Sequence, residues 1–225
     1  MKILVIIPAR SGSVGIKDKN IQSIGGKTLL EHAVYSGLKI THPENIIISS
    51  DSESYLSIVE KIDARIVKSK RPAHLSTSGA SIIDTIDHEL RNHPHINSFD
   101  YAVLLEPSHF GRRENIENLG KLLKEGDYDF GLGVYPVPLK YHMDKQISVS
   151  SGYNFKNANI VAKNRQALDV TYIRSGEFYA FKPKLFLNNL SFFVGRGRIF
   201  LTANDSINID DQSDLYSARK IQGEL

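Results

Sequence analysis

Residues 8–20 read Pro8-Ala9-Arg10-Ser11-Gly12-Ser13-Val14-Gly15-Ile16-Lys17-Asp18-Lys19-Asn20. Gly12 and Gly15 let the backbone approach a ligand closely. Arg10, Lys17 and Lys19 supply cations, and Ser11 and Ser13 supply hydroxyls, so the stretch has the parts of a phosphate cradle. The competing reading is a plain strand-to-helix turn, where glycines are common. The familiar phosphate motifs do not apply. Gly26-Lys27-Thr28 ends like a P-loop, but Ile21 stands where the first glycine belongs, and from Gly12 it is Lys17 that stands at the second. Gly12 and Gly15 fit part of G-x-G-x-x-G, with Arg10 at the first glycine position.

Other residues carry chemistry only in company. Asp210 suits a hard cation, but it equally suits a helix cap, because it stands just before an apolar-periodic segment. Phe192 and Phe193 read more readily as core than as a binding wall, and Tyr179 as a half-buried strand residue. His32, His42, His88, His93 and His95 form no ligand constellation.

The elements that would position these residues alternate. Short β-branched runs at residues 2–8, 45–50, 64–68, 101–105 and 130–134 read as buried strands. Helical spacing marks 27–40, 53–62, 81–92 and 113–124. That alternation predicts an α/β domain with a mostly parallel sheet and right-handed crossovers. Residues 146–171 break the rhythm as a polar loop or a β-hairpin arm. Residues 172–181 then read as a strand, 184–188 as a short helix and 211–221 as a closing helix. Ligands of such sheets bind beyond the carboxyl ends of the strands. The sites to watch are therefore residues 9–20, 50–51, 106–113 and 174–177.

The whole sequence has 225 residues, which fits one α/β domain. With no Cys, it excludes disulfide frameworks, thiolate metal sites and a cysteine nucleophile. The apolar run at residues 1–7 is too short for a signal peptide, and no stretch approaches a membrane span. Cytoplasmic localisation is the expectation. With 28 basic and 25 acidic residues, the net charge of +3 is too small and too scattered for a nucleic-acid footprint. It suits an anionic small molecule without requiring one.

The loop Ile6-Ile7-Pro8-Ala9-Arg10-Ser11-Gly12-Ser13-x-Gly15-Ile16-x-x-Lys19-Asn20 resembles the signature of the acylneuraminate cytidylyltransferases, the CMP-sialic acid synthetases. The likeness runs along essentially the whole chain, through Gly25-Gly26-Lys27-Thr28-Leu29, Ser50-Asp51 and Arg71-Pro72-Ala73-His74-Leu75. It continues through residues 105–112 (over Leu-Gln-Pro-Thr-Ser-Pro-Leu-Arg), Arg165-Gln166, Gly176 with Tyr179, and Phe192-Phe193-x-Gly195. It ends at Ile207-Asn208-Ile209-Asp210 with Asp214.

The resemblance implies a three-layer, Rossmann-like nucleotidyltransferase domain over residues 1–225, with a dimerisation arm at 135–171. It implies an enzyme that joins CTP to an acidic nine-carbon sugar, with Mg²⁺, and releases pyrophosphate. Positioning and charge neutralisation carry such a reaction. By analogy Ala9, Arg10, Ser11, Gly12, Ser13, Asn20, Arg71 and Ser81 hold the nucleotide, and Lys19 meets the phosphate tail. Asp210 and the position of Asn208 hold Mg²⁺. Glu106, Ser108, Arg165, Tyr179, Phe192 and Phe193 line the sugar pocket. Arg10, Lys19 and Asp210 are the expected catalytic residues, and the partner is a second copy of the chain.

The departures from the family pattern are specific. The family's loop Lys is Val14, with Lys17 three residues on as a possible substitute. The first metal Asp is Asn208, which weakens Mg²⁺ binding. The pocket Gln is Glu106, followed by His109 and Phe110. An anionic Glu106 repels an acidic sugar unless it meets a substrate amine or is protonated. Ser175 replaces an Asn, and Glu177 a small residue. Three readings stay open: a cytidylyltransferase for a modified sugar, a binding protein with weak or absent catalysis, and an enzyme for another nucleotide such as GTP. Arg10, Lys19, Asn20, Arg71, Asp210 and Asp214 are all kept, which favours an enzyme.

Overall fold

A computed structural model of the chain describes residues 1–13, 15–149, 155–158, 168–202 and 206–224. The first strand, β1 (Ile3–Pro8), is apolar throughout because both its faces are covered. A ribbon of β2 (Ser23–Ile24) and β3 (Lys27–Thr28) leads into α1 (Leu29–Leu38). Thr28 and Glu31 close that helix's N-terminus as a capping box. There follow β4 (Ile46–Ser50), α2 (Glu53–Ile62), β5 (Val67–Lys70), α3 (Ile82–Asn92) and β6 (Tyr101–Leu104). Next come β7 (His109–Phe110), α4 (Arg113–Glu125), β8 (Phe130–Pro136), β9 (Ile147–Val149) and β10 (Phe155–Ala158). The chain closes with β11 (Tyr172–Phe181), α5 (Pro183–Asn189), β12 (Gly197–Leu201), β13 (Ile207–Asn208) and α6 (Gln212–Gln222).

The main sheet has the order β12-β8-β11-β6-β1-β4-β5. Within it only β11 runs against its neighbours, β6 and β8. Alternate residues of β1 feed opposite faces. Ile3, Val5 and Ile7 join a core with α1, α2 and α4, and Leu4 and Ile6 join a second core with α3 and α5. This is the mostly parallel α/β sheet expected from the alternating pattern, in the three layers that the resemblance implies. A smaller core of Ile16, Ile24, Leu29, Phe110, Ile209 and Leu215 seats α6 beneath the glycine loop.

After β5 the chain returns to the other side of β1 as β6. The strand order therefore reverses at β1, and a crevice opens at the carboxyl ends there.

Three sequence expectations shift. The third strand lies at Val67–Lys70 rather than 64–68, because Ile66 turns into the core and Val67 opens the β4 pairing. The edge strand β12 was not expected, since Arg198, Ile199 and Leu201 are exposed and give no buried signature. In the arm, β9 and β10 pair as antiparallel strands, and the Val137 amide donates to the Thr171 carbonyl at 2.8 Å where the arm leaves the domain. Arg165 and Val14 lie outside the described residues. Among the described residues, no helix is long and apolar enough to cross a membrane.

Candidate active site

A cleft of about 390 Å³ opens at the sheet edge where β1 and β6 end. Arg10, Ser13, Lys19, Asn20, Arg71, Glu106, Ser108 and Asp210 all line it. Of the three cations of the glycine loop, Arg10 and Lys19 reach the cleft together with Arg71, whereas Lys17 is exposed and lies off the lining.

On the β1 side the glycine loop is held by its own polar groups. Asn20, nearly buried, donates from Nδ2 to the Arg10 carbonyl at 2.9 Å, and Arg10 donates from Nη1 to the Gly12 carbonyl at 3.1 Å. Gly12 sits at φ 68°, in the left-handed region. Ser11 differs from its expected phosphate role: its amide and hydroxyl both donate to Asp51, at 2.7 and 2.6 Å. Burial works to raise the Asp51 carboxyl, but these two Ser11 bonds, its own amide and Arg71 outweigh that and hold it below the ordinary range. Ala9 has its amide on the Ser49 carbonyl and its carbonyl under the Ser50 hydroxyl, so its main-chain groups are structural. Arg71 is only 5 % exposed and is fixed by Nε to the Ser49 hydroxyl and Nη2 to the Ser49 carbonyl, at 3.0 and 2.7 Å. Ser81 caps α3 by accepting from the Ile83 amide at 3.1 Å, between the cleft-lining Ala80 and Ile82.

Across the cleft, Glu106, Pro107 and Ser108 follow β6. Burial pushes the Glu106 carboxyl up, opposed by the Arg112 and Lys19 cations and reinforced by Asp210. The repulsion expected of this residue is thus moderated from two sides. Beneath the turn, Arg112 donates to the carbonyls of His109 (2.7 Å) and Glu106. His109 is buried with Nε2 unpaired, and burial together with Arg112 drives its imidazole down to about 3.

The strand end that carries Asp210 closes the site. Lys19 Nζ meets Asp210 Oδ1 at 3.1 Å, and Asn208 Nδ2 donates to Asp210 Oδ2 at 2.6 Å. The competing helix-cap role belongs to Asp211, whose Oδ1 accepts from the Ser213 and Asp214 amides. Asp214 in turn accepts from the Asp210 and Asp211 amides, which leaves the Asp210 carboxylate facing the cleft. Gly15 is needed here for closeness: a Cβ on it would overlap the Asp210 carbonyl oxygen.

The aromatic residues of the expected sugar pocket divide. Phe192 is 8 % exposed and packs with Phe181 and Phe186 in the core. Tyr179 stacks on it with centroids 5.4 Å apart. Phe193 is 43 % exposed, with the Arg174 guanidinium over its ring. None of the three lines the cleft itself. Asp51, Arg112 and Glu177 fall within the strand-end segments singled out from the sequence, but their roles as anchors of the two walls were not assigned there.

Residues 4–89 match the Cytidylyltransferase family profile. The N-acylneuraminate cytidylyltransferase of Escherichia coli O18:K1:H7 is 30 % identical over 224 residues, covering 98 % of this chain and 52 % of that protein. The CMP-N,N'-diacetyllegionaminic acid synthase of Legionella pneumophila is 27 % identical over 229 residues, 98 % of this chain and 96 % of that one.

Along nearly its whole length the chain is similar to cytidylyltransferases.

It spans about half the length of the E. coli relative and nearly all of the Legionella one. Among solved structures, a CMP:2-keto-3-deoxy-manno-octonic acid synthetase complexed with CTP superposes with a TM-score of 0.68 at 14 % identity, covering 100 % of this chain and 99 % of that one. The 4-diphosphocytidyl-2C-methyl-D-erythritol synthase of Anaerococcus prevotii follows at 0.65 and 15 %, covering 99 % and 98 %. At such identities the likeness is one of fold. The cleft described above lies at the strand-order reversal that this fold provides.

Proposed function

We propose that the chain activates an acidic nine-carbon sugar of the sialic, legionaminic or pseudaminic type with CTP. The anomeric hydroxyl oxygen bonds to the α-phosphorus, the bond from that phosphorus to the β-phosphate bridging oxygen breaks, and pyrophosphate leaves; the hydroxyl proton passes to solvent. The observation that carries this reading is the convergence of Arg10, Lys19 and Arg71 on one cleft whose far wall is Glu106–Ser108. The names of the relatives support the choice of substrates.

In this reading Arg10, Ser13, Asn20 and Arg71 hold the nucleotide, with Ala9, Ser11, Gly12 and Ser81 shaping the walls. Lys19 neutralises the leaving phosphates. Glu106 and Ser108 meet the sugar, with Tyr179 and Phe193 at its rim, Phe192 behind them and Arg165 as the expected carboxylate partner.

The donor set fits Mg²⁺ in one way. Among the described residues no three His, Asp or Glu side chains gather, so a protein-only cage is absent there. Mg²⁺ ordinarily takes one or two protein oxygens and completes its shell with phosphates and water. Asp210, with the Asn208 amide oxygen, suits that pattern. When bound, the ion neutralises phosphate charge.

We assign residues 135–171 to contact with a second copy, supported by the exposed apolar side chains of Tyr141, Met143 and Ile147. A chain without Cys is at home in the cytoplasm, where we assign it.

The deciding experiment supplies Mg²⁺, each of the four nucleoside triphosphates and a panel of nine-carbon keto-acid sugars, and follows pyrophosphate. Release with CTP and at least one sugar is expected. Measurable CTP binding without turnover on any pair, or release with GTP alone, overturns the reading.

A further inference from the structure

Behind the acceptor wall lies a buried charged cluster, Glu177 and Arg112, neither of which lines the cleft. Glu177 is 0 % exposed, on β11, directly after Gly176. The pairing of β11 with β8 is irregular there, between Arg174 and Tyr179, and Gly176 takes φ 78°. The irregularity turns the Glu177 carboxylate into the protein. It accepts from Asn115 Nδ2 at 3.0 and 3.2 Å, from the Tyr135 hydroxyl at 3.2 Å and from the Ser206 hydroxyl. The Glu177 carbonyl accepts from Arg112 Nε at 2.7 Å, and the other Arg112 nitrogens hold the carbonyls of His109 and Glu106.

One carboxylate and one guanidinium thus gather four separate segments. The turn at 106–109 carries Glu106 and Ser108. Ser206 leads directly into β13, which carries Asn208 and reaches Asp210. The two segments are also joined by the Ile209 amide donating to the Ser108 carbonyl at 2.8 Å, and by the β7–β13 pairing. Taking a carboxylate out of water costs several kcal/mol unless the site is well furnished with partners. A small residue would leave Arg112 as a buried cation without that counter-charge.

We infer that Glu177 is a positioning residue: through Arg112 and Ser206 it fixes the acceptor wall at Glu106–Ser108 relative to the Asp210 segment. This rests on the reading that the sugar meets Glu106 and Ser108. Glu177 touches no substrate. It governs where the acceptor sits with respect to the phosphates, and leaves the nucleotide wall, which is anchored on Ser49 and Asp51, untouched.

The test compares Glu177→Gln, Ser206→Ala and Tyr135→Phe with the unaltered chain. Three quantities are read: CTP affinity by calorimetry, acceptor kcat and KM separately, and amide hydrogen exchange in residues 104–112 and 206–211. For Glu177→Gln the expectation is CTP affinity within about twofold and acceptor kcat/KM lowered roughly 10- to 100-fold, as a small misplacement produces. Exchange should be faster in both segments, and the other two variants should show smaller changes of the same kind. Unchanged kinetics with unchanged exchange overturns the inference, as does CTP affinity falling in parallel with the acceptor constants. If the unaltered chain turns over no sugar, the proposed function fails by itself. Exchange then decides alone: joint acceleration in the two segments upholds the positioning role, and its absence sinks it. Should Glu177→Gln not fold, Ser206→Ala and Tyr135→Phe carry the same readouts.

Discussion

The wall of the cleft that follows β1 and β4 is held by hydrogen bonds among those strands and the loops directly after them, whereas the wall that follows β6 and β11 hangs on a fully buried guanidinium and a carboxylate brought from a distant strand. On the first wall, Arg71 is anchored by Ser49, Ser11 by Asp51, and Asn20 by the Arg10 carbonyl. These partners sit on β1, β4 and the loops directly after them. On the second, the Glu106–His109 turn is suspended from Arg112, whose charge is balanced by Glu177 from a strand more than sixty residues away. Full burial lowers the Arg112 guanidinium to about 10, with Glu177 and Glu106 pulling the other way. The contrast teaches that the nucleotide wall can tolerate local change, while the acceptor wall stands or falls as a unit.

The largest expected effect tests that contrast head to head. Arg112→Leu removes the buried counter-charge of the Glu177 carboxylate and one donor from each of the Glu177, His109 and Glu106 carbonyls. Breaking a buried charge arrangement from one side typically costs about 3–5 kcal/mol. Arg71→Leu removes one donor from each Ser49 oxygen and a favourable charge near Asp51 and Glu89, and should cost about 1–3 kcal/mol. Denaturant midpoints give the stabilities. CTP titration should show the reverse order, with the greater loss in Arg71→Leu. Equal stabilities, or the greater CTP loss in Arg112→Leu, would break the comparison.

Next in size is the seam where the glycine loop touches the acceptor-side segment. Gly15→Ala drives a Cβ into the Asp210 carbonyl, so either the loop or the Asp210 segment must shift. Overpacking of this kind costs about 1–3 kcal/mol. Displacement of reacting groups by an ångström lowers turnover by roughly a hundredfold. Gly79→Ala, where an added Cβ meets nothing within 4 Å, is the control and should behave as the unaltered chain. Pyrophosphate release measured for the two variants side by side separates a seam effect from a general loss of glycine.

What sequence could reveal follows the same division. The Ile3–Ile7 run, the glycine loop and the helix Glu53–Ile62 were legible because each announces itself within a few residues, by apolar continuity or by helical spacing. The cleft lining at Arg10, Asn20 and Arg71 followed from strand ends and from family likeness. Arg112 and Glu177 were not legible as a pair. A charged residue in isolation reads as surface, and only the β11 irregularity and the packing of α4 bring these two inside. Phe192 was legible as core from its own sequence context, and its neighbours Phe181 and Phe186 hold it there. The strand β12 escaped notice because an edge strand with exposed Arg198 and Leu201 lacks the buried signature.

The smallest effect concerns acid, and it separates two buried groups within the acceptor wall by sign. His109 titrates near 3 in the folded chain and near 6.5 when unfolded. The unfolded chain therefore binds the extra proton first, and stability falls as pH drops from about 6.5 toward 3. Glu177 works the other way. Burial raises its carboxyl, opposed by its bonds to Ser206 and Asn115 and by the Arg112 charge. The folded chain then holds that proton to higher pH than the unfolded one, so this group favours folding as pH falls toward its ordinary value of about 4.3. Relative to the unaltered chain, His109→Gln should lose less stability between pH 7 and about 4, and Glu177→Gln should lose more. Urea unfolding across that range reads both. Two variants moving in the same direction would show that the acceptor wall does not hold these charges as described, and the contrast with the nucleotide wall would lose its electrostatic basis.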